Sequence, residues 1–145
     1  MKKTILGLFT VIIIAIIIIM VKYNEYREEY TKIKEFNLEY EKYIDKEIKG
    51  TELTTIINKA VDDNERYNIK KDNQGKYIQD DKNSVNIEIK IKDLEEEKIY
   101  NMETLYNGGM SSFVQYYGNI VFKSQEVQYN NLGKVSYIMF EQLTT

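Results

Sequence analysis

The chain has 145 residues, a formal net charge of −3, and neither histidine nor cysteine. These two absences exclude Ser-His and Cys-His nucleophile pairs, structural zinc sites and a disulfide framework. The mild, distributed negative charge gives no reason to expect nucleic acid as a partner.

An uncharged apolar segment, residues 4–21, comes first in the chain. Its sequence, TILGLFTVIIIAIIIIMV, reaches the length of about 18 residues that is typical of a membrane-spanning helix. At about 1.5 Å per residue such a helix extends roughly 27 Å, close to the thickness of a thin hydrocarbon core. We therefore predict a transmembrane helix over residues 4–21, with the membrane as its partner.

The alternative to a membrane anchor is a cleaved signal peptide, for which Lys2 and Lys3 would supply the positive region. The apolar run is longer than the usual hydrophobic region of about 7–15 residues, and no A-x-A-like cleavage site closes it. A buried core helix would need partners on every face, and the chain looks too short to supply them. We expect an uncleaved single-pass signal anchor with residues 1–3 as a cytoplasmic tail, and everything after the span outside the membrane.

Residues 22–49 show the spacing of an amphipathic helix. No proline or glycine interrupts residues 8–49, so the transmembrane helix can continue into this segment, and Gly50 is a natural helix stop. The result would be a helical stalk. Its apolar and aromatic residues recur at intervals of three, four or seven: Tyr23, Tyr26, Tyr30, Ile33, Tyr40, Ile44 and Ile48.

The three tyrosines at the start of this stalk, Tyr23, Tyr26 and Tyr30, allow two interpretations. They could pack in the core against the sheet of the same chain, which is the interpretation we prefer. They could instead form a partner-binding face, and they are the only candidate site residues that the sequence singles out.

Residues 50–145 are predicted to form an extracytoplasmic α+β domain. A second helix is expected over residues 52–61, with Thr51 as N-cap and residues 62–64 as its end. The remainder predicts a mainly antiparallel sheet packed on the helices, with one apolar face and one solvated face. The expected strands are 67–70, 76–78, 85–92, 99–102, 120–129 and 135–142, with turns at 72–75, 80–84, 93–98 and 130–133 and a short helix at 111–117.

Two acidic clusters carry oxygens that a hard cation such as calcium could use: Asp62, Asp63 and Glu65, and then Asp80 and Asp81. The segment around Gly75 fails the EF-hand spacing, because placing Gly75 at loop position six puts Lys70 at position one. The acidic run at residues 95–97 is expected to be a solvated turn, and Gly108-Gly109 matches no phosphate-binding loop. We therefore predict no catalytic, cofactor or metal site, and no small-molecule substrate is evident.

The predicted plan of an apolar N-terminal helix, an amphipathic continuation and an antiparallel sheet resembles type IV pilins and pilin-like secretion subunits. In that family a glycine is followed by Phe-Thr-Leu-Ile-Glu and the chain is cleaved after the glycine. The corresponding stretch here runs from Gly7 through Phe9 and Thr10, with Ile12 where the family has its glutamate. The resemblance implies a filament subunit, and the missing glutamate puts processing and polymerisation in question.

Three segments, residues 48–53, 57–64 and 133–137, look similar to small single-pass membrane-anchored proteins of Gram-positive anaerobes, a group without an assigned activity. This resemblance implies an anchor followed by a small domain. The function we expect is a non-catalytic bacterial envelope protein, whose domain binds another envelope protein or self-associates. A pilin-like structural subunit is the alternative, and a hydrolase that uses carboxylates or serine is the least favoured.

Overall fold

The computed structural model describes residues 2–92 and 96–143, with only the backbone described for Lys2. The chain divides into two compact units, residues 1–35 and 36–145. The predicted α+β class is confirmed. The elements in chain order are α1 (Lys2–Glu41), β1 (Glu47–Lys49), α2 (Gly50–Arg66), β2 (Asn86–Lys92), β3 (Glu97–Asn101), α3 (Met102–Gly108), α4 (Met110–Tyr117), β4 (Val121–Tyr129) and β5 (Val135–Gln142).

The first unit is helical throughout its described residues. Every large apolar side chain from Ile5 to Val21 is exposed on this helix. Among the described residues of the chain, this is one helix that is long and apolar enough to cross a membrane. A helix that is apolar on all sides needs an apolar environment on all sides.

The described residues of the second unit contain a five-stranded sheet in the order β1-β4-β5-β2-β3. Three of its four strand pairings are antiparallel, and the pairing of β2 with β5 is parallel. The sheet is therefore mixed. In the parallel pair Ile87 lies opposite Ile138 and Ile89 lies opposite Phe140, so large apolar side chains of both strands share one face.

The two faces of this sheet differ in polarity, as the alternation of residues 85–92 predicts. One face carries buried apolar side chains, among them Ile87 and Ile89, which form the core together with the apolar stripe of α2. The other face carries charged side chains that pair across strands. Lys92 Nζ lies 2.6 Å from Glu141 Oε1, and Lys90 Nζ lies 2.8 Å from Glu97 Oε2.

The predicted helix over residues 22–49 is wrong at its C-terminal end, because α1 ends at Glu41. A turn follows in which Asp45 adopts a positive φ of 57°, and residues 47–49 then form β1. Ile48 pairs with Phe122 of β4 and is buried. Ile48 is therefore buried in the sheet, although its spacing from Ile44 and Tyr40 suggested a position on the helix.

The second helix is longer than predicted at both ends, because α2 runs from Gly50 to Arg66. The carboxylate of Glu52 accepts the backbone N–H of Lys49 at 2.9 Å, so the helix begins before the predicted N-cap Thr51. Asp63 and Asn64 lie inside the helix and are buried. Polar residues at these positions do not end the helix, since each has a partner in the core.

Two further predictions need correction. Residues 67–70 and 76–78 form no strands; a single bridge joins Lys71 and Tyr77, and Asp72 closes the turn between them. The strand expected at 99–102 begins earlier, as β3, and Met102 opens a helix, α3, that the sequence did not suggest. The helix at 111–117 and the hairpin of β4 and β5 are confirmed, while residues 93–95 of the predicted turn at 93–98 lie outside the described residues.

Candidate binding surfaces

The three candidate tyrosines lie on the exposed surface of α1. The exposed fraction is 63% for Tyr23, 67% for Tyr26 and 58% for Tyr30. The interpretation that they belong to the core is therefore wrong. Their assignment as a partner-binding face remains a prediction, and it now concerns side chains that a partner could reach.

The aromatic pattern of α1 enters the core further along the helix, at Tyr40. This side chain is fully buried, and its hydroxyl donates a hydrogen bond of 2.7 Å to Oδ2 of Asp63. Asp63 is also 3.3 Å from Nζ of Lys59. Burial, together with the adjacent Asp63 carboxylate, raises the pKa of Tyr40 well above its usual range. Tyr40 is therefore a neutral hydrogen-bond donor that holds the end of α1 against α2.

Lys134, the residue directly before β5, is a buried amine. Its Nζ lies 3.8 Å from the ring centroid of Phe36 and 4.3 Å from that of Tyr67, and it contacts Asn83 at 3.4–3.5 Å. Burial lowers the pKa of Lys134, while Asp63 and Asp80 oppose that effect. Only 4% of the residue is exposed, so a substrate has no access to it. Its role is packing through cation–π contacts.

An apolar cavity of about 240 Å³ lies between the helices α3 and α4 and the edge of the sheet. Phe113 contributes a buried wall, and its ring centroid lies 5.3 Å from that of Tyr117. Gly109, with a φ of 125°, makes the sharp connection between the two helices. The lining consists of Ile91, Tyr100, Thr104, Leu105, Gly108, Gly109, Ser112, Phe113, Tyr116 and Tyr117.

A polar cavity of about 390 Å³ adjoins the apolar one, and Thr104 and Gly108 line both. Its charged groups already have partners. The buried Glu103 accepts the backbone N–H of Tyr77 at 2.8 Å, and Lys76 Nζ lies 3.3 Å from Glu88 Oε1. The sequence did not reveal either cavity, because α3 was not predicted.

Asp63 and Asp80, one from each acidic cluster, accept hydrogen bonds within the domain. Oδ1 of Asp80 accepts the backbone N–H groups of Lys82, Asn83 and Ser84 at 3.1, 2.6 and 2.7 Å. Burial would raise the pKa of Asp80, but these hydrogen bonds outweigh it and lower the pKa below its ordinary value of 3.8. Within residues 2–92 and 96–143, no three acidic side chains come together as a metal-ion site would require.

Comparison with known proteins adds no assignment. No protein-family model, curated protein or solved structure matches the chain.

Proposed function

We propose that the chain is a single-pass, membrane-anchored envelope protein whose N-terminal helix holds a non-catalytic α+β interaction domain outside the membrane. The observation that carries this proposal is the exposure of all fourteen large apolar side chains between Ile5 and Val21. Burying a single Leu or Ile side chain contributes about 1.5–3 kcal/mol. Leaving this helix in water therefore costs on the order of 10 kcal/mol or more, which is comparable to the whole stability of a small domain.

The second unit supports recognition as the task of the domain. The sequence lacks the histidine and cysteine on which most nucleophilic catalysis depends. One of the two adjoining cavities has an apolar, aromatic lining, and the other is lined by polar groups that are paired with one another. This composition suits binding to the surface of another protein. The partner we propose is another envelope protein or a second copy of the chain.

Cell fractionation of the full-length protein with a C-terminal tag tests this proposal. Intact cells are sheared, and the sheared, membrane and soluble fractions are blotted. Full-length protein in the membrane fraction that resists extraction with alkaline carbonate is the expected result. Full-length protein in the soluble fraction would contradict membrane anchoring.

A pilin-like structural subunit is the second candidate. It is favoured by the long α1, Lys2–Glu41, which precedes a sheet domain as in those proteins. This candidate requires cleavage after Gly7 and recovery of the shortened chain in the sheared fraction. An intact N-terminus by mass spectrometry would rule against it, and Ile12 in the glutamate position already weakens it.

A further inference from the structure

The segment from Lys22 to Glu35 has a narrower apolar stripe than a helix that packs on a core. Ten of its fourteen residues are polar or charged, and the other four are Tyr23, Tyr26, Tyr30 and Ile33, at spacings of three, four and three. A helix that faces a protein core carries three or four apolar positions per two turns. Two apolar positions in every seven residues are typical of the narrow contact seam of a coiled coil. In the seven-residue repeat labelled a to g, Tyr23 and Tyr30 occupy position a, and Tyr26 and Ile33 occupy position d.

We propose that this seam pairs with the same segment of a second copy of the chain in a parallel two-stranded coiled coil. The three tyrosines are more than half exposed, so the face is open to a partner. The inference rests on the proposed membrane anchoring, because anchored copies share one orientation. Two heptads are marginal as helices in water, but confinement to one membrane raises the effective concentration of the two segments.

Beside the seam, one pair of charged positions is complementary between two copies in parallel alignment. In this register Glu29 is a g position and Lys34 is the e position five residues later. These are the positions that meet between the chains of a parallel dimer. Two symmetric Glu29–Lys34 pairs would form. The other such combination brings Lys22 near Arg27 of the second copy, which places two like charges side by side. Glu25, whose Oε2 lies 2.8 Å from Lys22 Nζ on the same helix, offsets part of that repulsion.

The lipid headgroup layer covers only part of the same stripe. Beyond the hydrocarbon core, each headgroup region is roughly 5–8 Å thick. At about 1.5 Å per residue, Tyr30 lies roughly 13 Å beyond Val21 along the helix axis. Headgroups can therefore reach Tyr23 and Tyr26, the positions of an aromatic belt, but not Tyr30. The same stripe on a second copy of the chain can cover all of these side chains, including Tyr30.

Disulfide cross-linking tests the proposal directly, because the chain has no cysteine of its own. Tyr26→Cys and Tyr30→Cys place single thiols in the seam, and Glu28→Cys places one on the opposite side of the helix as the matched control. Membranes that contain each full-length variant are treated with a mild oxidant. We expect several-fold more product of twice the chain mass from the seam variants than from the control.

Three outcomes would overturn the proposal: equal cross-linking at all three positions, absence of dimers from both seam variants, or a cross-linked product with a different protein. Carbonate extraction of the same membranes reports anchoring separately. Protein released by carbonate would contradict the proposed function whatever the cross-linking shows. Protein retained without seam-specific dimers would contradict only the coiled coil.

Charge reversal tests the register. In the Tyr26→Cys background, Glu29→Lys alone and Lys34→Glu alone should each reduce the cross-linked fraction, because each places like charges at g and e. The combined variant should restore the fraction. Failure of the combined variant to recover would contradict the parallel g-to-e pairing.

Discussion

Asn64 and Val85 exchange two hydrogen bonds in the core of the domain. The Asn64 side chain donates from Nδ2 to the Val85 carbonyl at 2.7 Å and accepts the Val85 N–H at Oδ1 at 2.9 Å. Both residues are fully buried. The pair joins the last turn of α2 to the residue that precedes β2, so it fixes where the irregular segment between these two elements begins and ends.

Asn64→Ala should lower the free energy of unfolding by about 2–4 kcal/mol, because it leaves a buried N–H and a buried carbonyl without partners. Urea unfolding of the full-length protein in detergent, followed by the near-ultraviolet circular dichroism of its tyrosines, measures this change. Asn58→Ala, at an exposed position of the same helix, is the control and should change stability by no more than about 0.5 kcal/mol. An equal loss of unfolding free energy in the two variants would show that the Asn64–Val85 hydrogen bonds do not stabilise the domain.

Replacing Gly50 by any residue with a side chain should destabilise the domain. A Cβ at this position would overlap the carbonyl group of Tyr117, and the Gly50 N–H donates to the Ile120 carbonyl at 2.9 Å. Gly50→Ala should therefore lower the free energy of unfolding by about 1–3 kcal/mol. Gly108→Ala is the matched control, since a Cβ there meets no atom within 4 Å, and it should be neutral or slightly stabilising in the same urea experiment. A neutral Gly50→Ala would show that α2 and the end of α4 are not held this closely.

Asp80 should contribute to stability at neutral pH and lose this contribution in acid. Its folded-state pKa lies below the ordinary value of 3.8, so the ionised form is favoured by folding. The contribution is present above that ordinary value and disappears as the pH falls through the lower, folded-state pKa. Asp80→Asn should be less stable than the natural chain by about 1 kcal/mol at pH 7 and equally stable near pH 2.

The difference in stability between Asp80→Asn and the natural chain is measured from their urea unfolding midpoints at several values between about pH 2 and pH 7. Asp81→Asn, at the exposed neighbouring position, is the control and should show no comparable loss at neutral pH. A difference between Asp80→Asn and the natural chain that persists unchanged at low pH would mean that the charge of Asp80 does not stabilise the turn.

Charge in the apolar helix should release the chain from the membrane. On insertion scales, each apolar residue at the helix centre contributes about −0.3 to −0.6 kcal/mol and each lysine costs about 2.5–3.5 kcal/mol. Two lysines, Ile13→Lys with Ile14→Lys, therefore offset most of the favourable sum from residues 4–21. The double variant should move from the carbonate-resistant fraction to the soluble one, whereas Ile13→Leu with Ile14→Leu should stay. Equal retention of the two variants would show that this helix is not the anchor.

Periodicity predicted the elements whose burial follows a regular repeat. The alternation of Val85, Ile87, Ile89 and Ile91 placed β2, and the turn near Gly133 placed the hairpin of β4 and β5. The parallel contact between β2 and β5 could not be predicted, since those strands lie about 50 residues apart in the chain.

The secondary-structure predictions that were wrong have a common physical cause. Ile48 fits the spacing of a helix and also that of a strand, and its pairing with Phe122 decided between them. Asp63 and Asn64 looked like the end of a helix because their partners, Tyr40 and Val85, are distant in sequence. Tertiary contacts overrode local preference at these positions.

The most direct test of the proposed function is the side of the membrane on which the domain lies. Asn73→Cys places a single thiol in the exposed turn between Asp72 and Lys76 of a chain that has no other cysteine. A membrane-impermeant maleimide is added to intact and to permeabilised cells, and the carbonate-resistant membranes are blotted. The proposal predicts full labelling of Asn73→Cys in intact cells. Labelling only after permeabilisation would place the domain inside and contradict it.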